Sequence, residues 1–281
     1  DGGHGAQAAE AAAIALREAE FHPQWQAEAG ALHAQALAQC GEFDAALVAA
    51  QTALAAVDAA SPAQRLNVLN ALSYVHYATG RLADAVRWQR EAIAVAERQD
   101  NHATAVIGEG NVAALLASIG DVPATYAQAL RARDRYASIS VAENSSFGIV
   151  NHIVLGASAA ALGRFDEALD ALQAAVRSAG ELAATAAQAK ARLALAQLWL
   201  TLGQTEQAMS LIDTLPQQMI PGMAIQAVLL RARAAEQFGL SPRRHLDELA
   251  RLAVEHENLP LVQSAWFEMS HVGDAREMLG T

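Results

Sequence analysis

Six glycines recur along this chain at nearly constant intervals, and that recurrence limits the fold more than any other feature. Gly41, Gly80, Gly120, Gly163, Gly203 and Gly239 stand 39, 40, 43, 40 and 36 residues apart. A period of this length is one supersecondary unit written repeatedly. The first five glycines each sit between two helix-length segments, in GEFDAA, GRLADA, GDVPAT, GRFDEA and GQTEQA. Glycine accepts the left-handed conformation needed just past a helix C-terminus. Asp44, Asp84, Asp121, Asp166 and Glu206 then fall near the start of the next helix, where negative charge complements the helix dipole.

Other positions repeat in the same register. Seven residues before each glycine stand Ala34, Ser73, Ala113, Gly156, Ala196 and Ala232, all small. Five residues after come Ala46, Ala85, Thr125, Ala168, Ala208 and Arg244, and twelve after come Ala53, Ala92, Ala132, Ala175, Leu215 and Arg251. Two antiparallel helices cross closely only where side chains are small. The apolar share of 53% is weighted to alanine, with 5% aromatics and 7 prolines, which favours tightly packed helices over a sheet.

A small residue, then glycine seven on, then alanine five and twelve further, resembles the tetratricopeptide repeat over nearly the whole chain. LNALSYVHYATGRLADAVRWQREAIAVAE is the most typical copy. The period near 40 resembles long-helix variants found in kinesin light chains and in sensor domains of maltose-activator-type bacterial regulators. The resemblance implies an all-α fold, a right-handed superhelical solenoid of antiparallel helix pairs. About six pairs are expected from Pro23 to Asn258, after a lone helix at 6–20. A closing helix with Trp266, Phe267 and Met269 would cover the end. The last copy departs from the pattern, because GLSPRR lacks the alanine after the turn. Residues 1–5 read as a tag remnant or disordered end, and 6–281 as a single domain cut from a larger protein. The longest spacing, at Ser138–Phe147, marks the place for a loop or hinge.

A net charge of −11 argues against direct nucleic-acid binding, which needs a basic face. No run of 18 apolar residues predicts a membrane span, and no basic n-region with an apolar core is visible at the start of the sequence to suggest a signal peptide. One cysteine, Cys40, allows no internal disulfide and points to a reducing, cytoplasmic setting. Next to a turn glycine, Cys40 reads as a small packed thiol.

Nothing argues for catalysis or a cofactor. GEGNVA at Gly108–Ala113 fits the dinucleotide fingerprint loosely, but it falls inside a predicted helix rather than after a strand. Close helix approach is the plainer reading of its glycines. The 9 histidines include no HExxH and no pair four apart; His33, His76 and His152 occupy different repeat positions, and His256-Glu257 lacks a second histidine.

The resemblance further implies that the first helix of each pair lines a partner-binding groove, at positions thirteen, ten, six, three and two before the turn glycine. These are Glu28, Ala31, Gln35, Ala38 and Gln39 in the first repeat, and Asn67, Asn70, Tyr74, Tyr77 and Ala78 in the second. The fifth gives Lys190, Leu193, Gln197, Leu200 and Thr201, and the sixth Gln226, Leu229, Arg233, Glu236 and Gln237. The third and fourth are small and apolar there, apart from nearby Asn111 and Asn151. Asparagine inside a helix costs roughly 0.5–0.7 kcal/mol against alanine, so four in an alanine-rich chain need a reason. Their amides match an extended peptide backbone, or they tie neighbouring helices together. Gln35, Asn67, Asn70, Tyr74, Tyr77, Asn111, Asn151, Lys190, Gln197 and Arg233 are the expected contacts for a protein or peptide. A small-molecule effector of a larger regulator is the alternative.

Overall fold

The computed structural model describes residues 2–19, 22–57, 61–139 and 145–255. In chain order its helices are α1 (Gly2–Glu18), α2 (Pro23–Gln39), α3 (Phe43–Ala55), α4 (Pro62–Ala78), α5 (Leu82–Arg98), α6 (His102–Ile119) and α7 (Val122–Ser138). There follow α8 (Ser146–Ala161), α9 (Phe165–Glu181), α10 (Thr185–Thr201), α11 (Thr205–Asp213), α12 (Pro221–Gln237) and α13 (Arg243–Glu255). No strand occurs among the described residues. One leading helix followed by six pairs is the arrangement the glycine register predicts. The leading helix starts at Gly2 rather than near residue 6; once the alanine-rich stretch is helical, each added residue gains a hydrogen bond for little further ordering. The expected closing helix and His256 lie outside the described residues.

Every turn glycine has positive φ, from 69° to 86°. In each hairpin the N–H just after the glycine donates to the carbonyl four residues before it, as Glu42 does to Leu37 at 3.0 Å and Gln204 to Trp199 at 2.8 Å. This satisfies a carbonyl that the helix end leaves open. Two turns between repeats close in the same way without glycine. Asp100 and Ala183 take φ of 53° and 50°, and Asn101 and Ala184 donate to Ala96 and Ala179. Of the acids that open the second helices, Asp121 caps its helix directly, accepting from the Ala124 N–H at 3.0 Å.

The small positions do the work their spacing predicts. Ala34, Ser73, Ala113, Gly156, Ala196 and Ala232 are all buried, and Ser73 and Gly156 meet the partner helix of their own hairpin. The Ser73 hydroxyl donates to the Ala85 carbonyl at 3.0 Å. A Cβ placed on Gly156 would lie 3.1 Å from the Ala168 carbonyl and 2.5 Å from Leu172 Cγ. In the last hairpin Arg244 and Arg251 are exposed, so that copy departs in structure as in sequence. GEGNVA lies inside α6, and a Cβ on Gly108 would sit 2.6 Å from Ile93 Cγ1, so its glycine serves close approach of α5. Cys40 is exposed, not packed, because it occupies the C-cap of α2 in the exposed turn that leads to α3. Helix α11 stops early at Asp213, ahead of Pro216, which lacks an N–H and disfavours helix in the residue before it.

The chain divides into two compact units, residues 1–142 and 143–281. In the first, Ala27, Ala34, Ala46, Leu69, Leu72 and Val75 belong to one buried cluster spanning the first two pairs. In the second, Leu193, Ala196, Ala208, Ile212, Ala227 and Leu230 do the same for the last pairs. Within each unit helices pack on their neighbours in sequence, and α2 also lies against α4, α8 against α10, and α10 against α12. The first helices α2 and α4 therefore stand side by side in the first unit, and α8, α10 and α12 in the second, which sets up the surface described next.

Candidate functional site: the open face of the first helices

Positions thirteen, six and two before the turn glycine are spaced to share one side of a helix. None of them is fully buried in any repeat. In the first unit α2 presents Glu28, Gln35 and Gln39, α4 presents Asn67, Tyr74 and Ala78, and α6 presents Ile107, Ala114 and Ser118. In the second, α8 presents Val150, Ala157 and Ala161, α10 presents Lys190, Gln197 and Thr201, and α12 presents Gln226, Arg233 and Gln237. The other two expected positions behave differently. Ala31, Ala38, Leu193 and Leu200 are buried, since in α2 and α10 those positions turn toward the adjacent first helix. In α4 the same positions hold half-buried Asn70 and exposed Tyr77.

Equivalent side chains on neighbouring helices bond to each other. The Asn67 amide donates to the Glu28 carboxylate at 2.9 Å, and both stand thirteen before their glycines. The Arg233 guanidinium donates to the Gln197 carbonyl oxygen at 2.7 Å, and both stand six before theirs. Gln237 adds a third tie, donating to the Leu200 carbonyl at 2.9 Å while accepting from the Thr205 hydroxyl at 2.6 Å. These bonds orient long polar side chains along the face. A partner that meets them loses less side-chain freedom on binding than it would with free rotors.

The ten expected residues separate into groups. Gln35, Asn67, Tyr74 and Tyr77 lie on α2 and α4, which are packed together, and the tyrosines are 36% and 47% exposed. Asn111 is half-buried on α6. Lys190 is exposed on α10, and Gln197 and Arg233 form the pair above. Asn70 turns inward, its carbonyl oxygen accepting from the Gln89 amide of α5 at 3.1 Å. Asn151 is 2% exposed, within the packing of the second unit.

Gln89 is the residue sequence reasoning missed. It is 4% exposed, nine after its glycine, in a column that holds Ala50, Ala129, Leu172 and Ile212 in the other regular repeats and Glu248 in the divergent last copy. A glutamine in an apolar column was the available signal. Buried amides require partners, and Asn70 supplies one.

Two faces therefore differ in chemistry. The first unit offers amides, phenols and one carboxylate; the second offers two cations, amides and the carboxylate of Glu236. Among the described residues no group of three or more His, Cys, Asp or Glu side chains could hold a metal ion. Among the same residues no helix is long and apolar enough to cross a membrane.

The sequence matches no protein-family profile and no curated protein. Solved structures do share its fold. BtubC (BKLC) from P. vanneervenii is 14% identical, with a TM-score of 0.61 over 82% of this chain and 89% of that one. The apo form of RapI is 13% identical, with a TM-score of 0.65 over 94% of this chain and 79% of its own. The Rap conjugation gene regulator of plasmid pLS20, solved with the Phr* peptide, is 12% identical, with a TM-score of 0.61 over 98% and 84%. The fold is all-α, a tetratricopeptide-like repeat of helix pairs. At these identities the likeness concerns the fold.

Proposed function

We propose that this chain is a non-catalytic scaffold that binds a protein or peptide segment along the open face of its first helices. The observation that carries the reading is the pair of same-position bonds, Asn67 with Glu28 and Arg233 with Gln197, which hold polar side chains outward in register. Peptide main chain offers alternating donors and acceptors, and amides answer both. Exposed Tyr74 and Tyr77 add flat apolar area with a polar tip, the type of anchor enriched at interfaces. A neighbour of the same fold was solved holding a peptide, which agrees with this use of the architecture.

A second reading is that the chain senses an effector for a larger bacterial regulator. Its repeat period near 40 resembles maltose-activator-type sensor domains, and one structural neighbour is a gene regulator. Both readings place the ligand on the first helices; they differ in whether it is extended or compact.

The test is selection of displayed random peptides against the whole chain, followed by binding isotherms. Tyr74→Ala is expected to weaken the selected peptide about tenfold, corresponding to about 1.4 kcal/mol, with an unchanged melting temperature. No enriched peptide, or peptides indifferent to both Tyr74→Ala and Arg233→Ala, would reject the reading.

A further inference from the structure

The opposite side of α2 carries a second candidate surface. Two adjoining hollows of about 480 and 540 Å³ lie over α2 between α1 and α3, and both are lined by Leu16 of α1 and Thr52 of α3. Gln26, Gly30, His33 and Leu37 form the floor on α2. These residues lie four, seven and eleven apart along one helical side, facing away from Glu28 and Gln35.

The next repeat shows what belongs in such a space. The first two hairpins are offset by 39 residues without a gap, so each floor and wall residue has a counterpart. Gly30 corresponds to Leu69, Leu37 to His76, Val48 to Arg87, Ala49 to Trp88, and Thr52 to Glu91. In the second repeat the indole of Trp88 packs against the core, with the His76 ring 6.3 Å away. The Arg87 guanidinium lies 4.5 Å from the indole centre and 3.4 Å from the Asp84 carboxylate. That hairpin thus carries an arginine–tryptophan pair, steadied by an acid, at the positions that line the hollow in the first. The first hairpin has valine and alanine there instead, over a glycine floor. It is also the only one of the six to combine glycine eleven before the turn with alanine eight after it.

Two further features fit an incoming group of the same kind. His33 lines the hollow and offers a ring for an indole to pack against; its Nδ1 is buried without a hydrogen-bond partner. Asp44 also lines the hollow, so a carboxylate is in place for a cation beside the ring. The net charge of −11 favours a cationic partner at long range.

We infer that the α1–α2–α3 hollow is an anchor site for a tryptophan side chain flanked by arginine or lysine, presented by a partner peptide. The partner supplies in trans what Arg87 and Trp88 supply in cis one repeat later. This site is separate from the open face and does not rest on the function proposed above.

The test uses the whole chain and an acetylated, amidated Ala-Ala-Arg-Trp-Ala-Ala peptide carrying 5-fluorotryptophan, followed by fluorine NMR. Saturable binding is expected, weaker for the Ala-Trp version; the Arg-Ala version, which carries no fluorine, is expected not to displace the labelled peptide. Ala49→Trp, which copies the second repeat, should abolish binding while the melting temperature holds or rises; Gly30→Leu gives an independent block. Asp44→Asn should weaken the Arg-Trp peptide roughly two- to fivefold and leave the Ala-Trp version alone. No saturation at millimolar peptide, or equal binding by Ala49→Trp and Gly30→Leu, overturns the assignment. So does loss of binding in Tyr74→Ala with retention in Ala49→Trp, which would place the peptide on the open face. A concentration-dependent dimer in sedimentation that Ala49→Trp makes monomeric would assign the hollow to a second copy and also overturn it.

Discussion

The first and second hairpins, α2–α3 and α4–α5, are built on one backbone plan 39 residues apart and finish it differently. Both close with a positive-φ glycine, and both place a small buried residue, Ala34 or Ser73, where their helices cross. Away from those shared positions they diverge. The second hairpin fills its outer side with Leu69, His76 and Trp88 and its open face with two tyrosines. The first leaves glycine and alanine outside and glutamines on the open face. The difference teaches that this fold separates positions that keep the stack together from positions free to acquire binding chemistry.

The largest effect should come from exchanging the fillings. Leu69 is 1% exposed within the shared core cluster, so Leu69→Ala is expected to cost about 2–4 kcal/mol in denaturant unfolding. The matching change in the first hairpin, Gly30→Ala, should be nearly neutral. Its new Cβ would meet the Ala53 Cβ at 3.2 Å, a tight contact offset by about 1 kcal/mol of helix propensity. Equal losses in both would mean that the two hairpins do not differ in this way.

A smaller effect is expected where the hairpins agree. Ser73→Ala gives the second crossing the residue of the first and removes the hydroxyl bond to the Ala85 carbonyl. That carbonyl retains its helical partner, so the expected cost is at most about 1 kcal/mol, read as a small drop in melting temperature. A loss above about 2 kcal/mol would show that the crossing depends on the hydroxyl rather than on small size.

The smallest effect concerns pH. Burial, opposed by Asp84 and assisted by Arg81 and Arg87, holds the His76 pKa below its ordinary 6.5. The unfolded chain then binds that proton more readily, so stability is complete above about pH 6.5 and falls as pH drops through the folded value. His76→Leu, the counterpart of Leu37, should lessen the fall in melting temperature between about pH 7.5 and pH 5. His245, also lowered chiefly by burial, leaves part of the slope in place. An unchanged pH profile would show that His76 is not a source of it.

The fold was legible because glycine at a left-handed turn and small residues at a crossing are demands that few residue types meet. The same logic shows why Asp100 and Ala183 went unseen, since their turns take that conformation with no glycine to announce it. The open face was legible in part. Tyr74, Tyr77, Lys190, Gln197 and Arg233 lie where the register places them. Ala31, Ala38, Leu193 and Leu200 do not, because packing between first helices decides which flank of the face is covered. Asn70 and Asn67 could not be told apart by position alone. What separates them is Gln89, which approaches from α5 and claims Asn70, whereas Asn67 reaches along the face to Glu28.

That separation provides the most direct test of the binding face. Melting curves and isotherms with a selected peptide should be measured together on Asn70→Ala and Asn111→Ala. Asn70→Ala strands the buried Gln89 amide and should cost about 1–2 kcal/mol of stability, with affinity per folded molecule unchanged. Asn111→Ala should keep its melting temperature and lose affinity by about three- to tenfold, the equivalent of one hydrogen bond. Unaltered affinity in Asn111→Ala, or weakened binding in Asn70→Ala at full stability, would contradict the division between helix-tying and partner-binding amides.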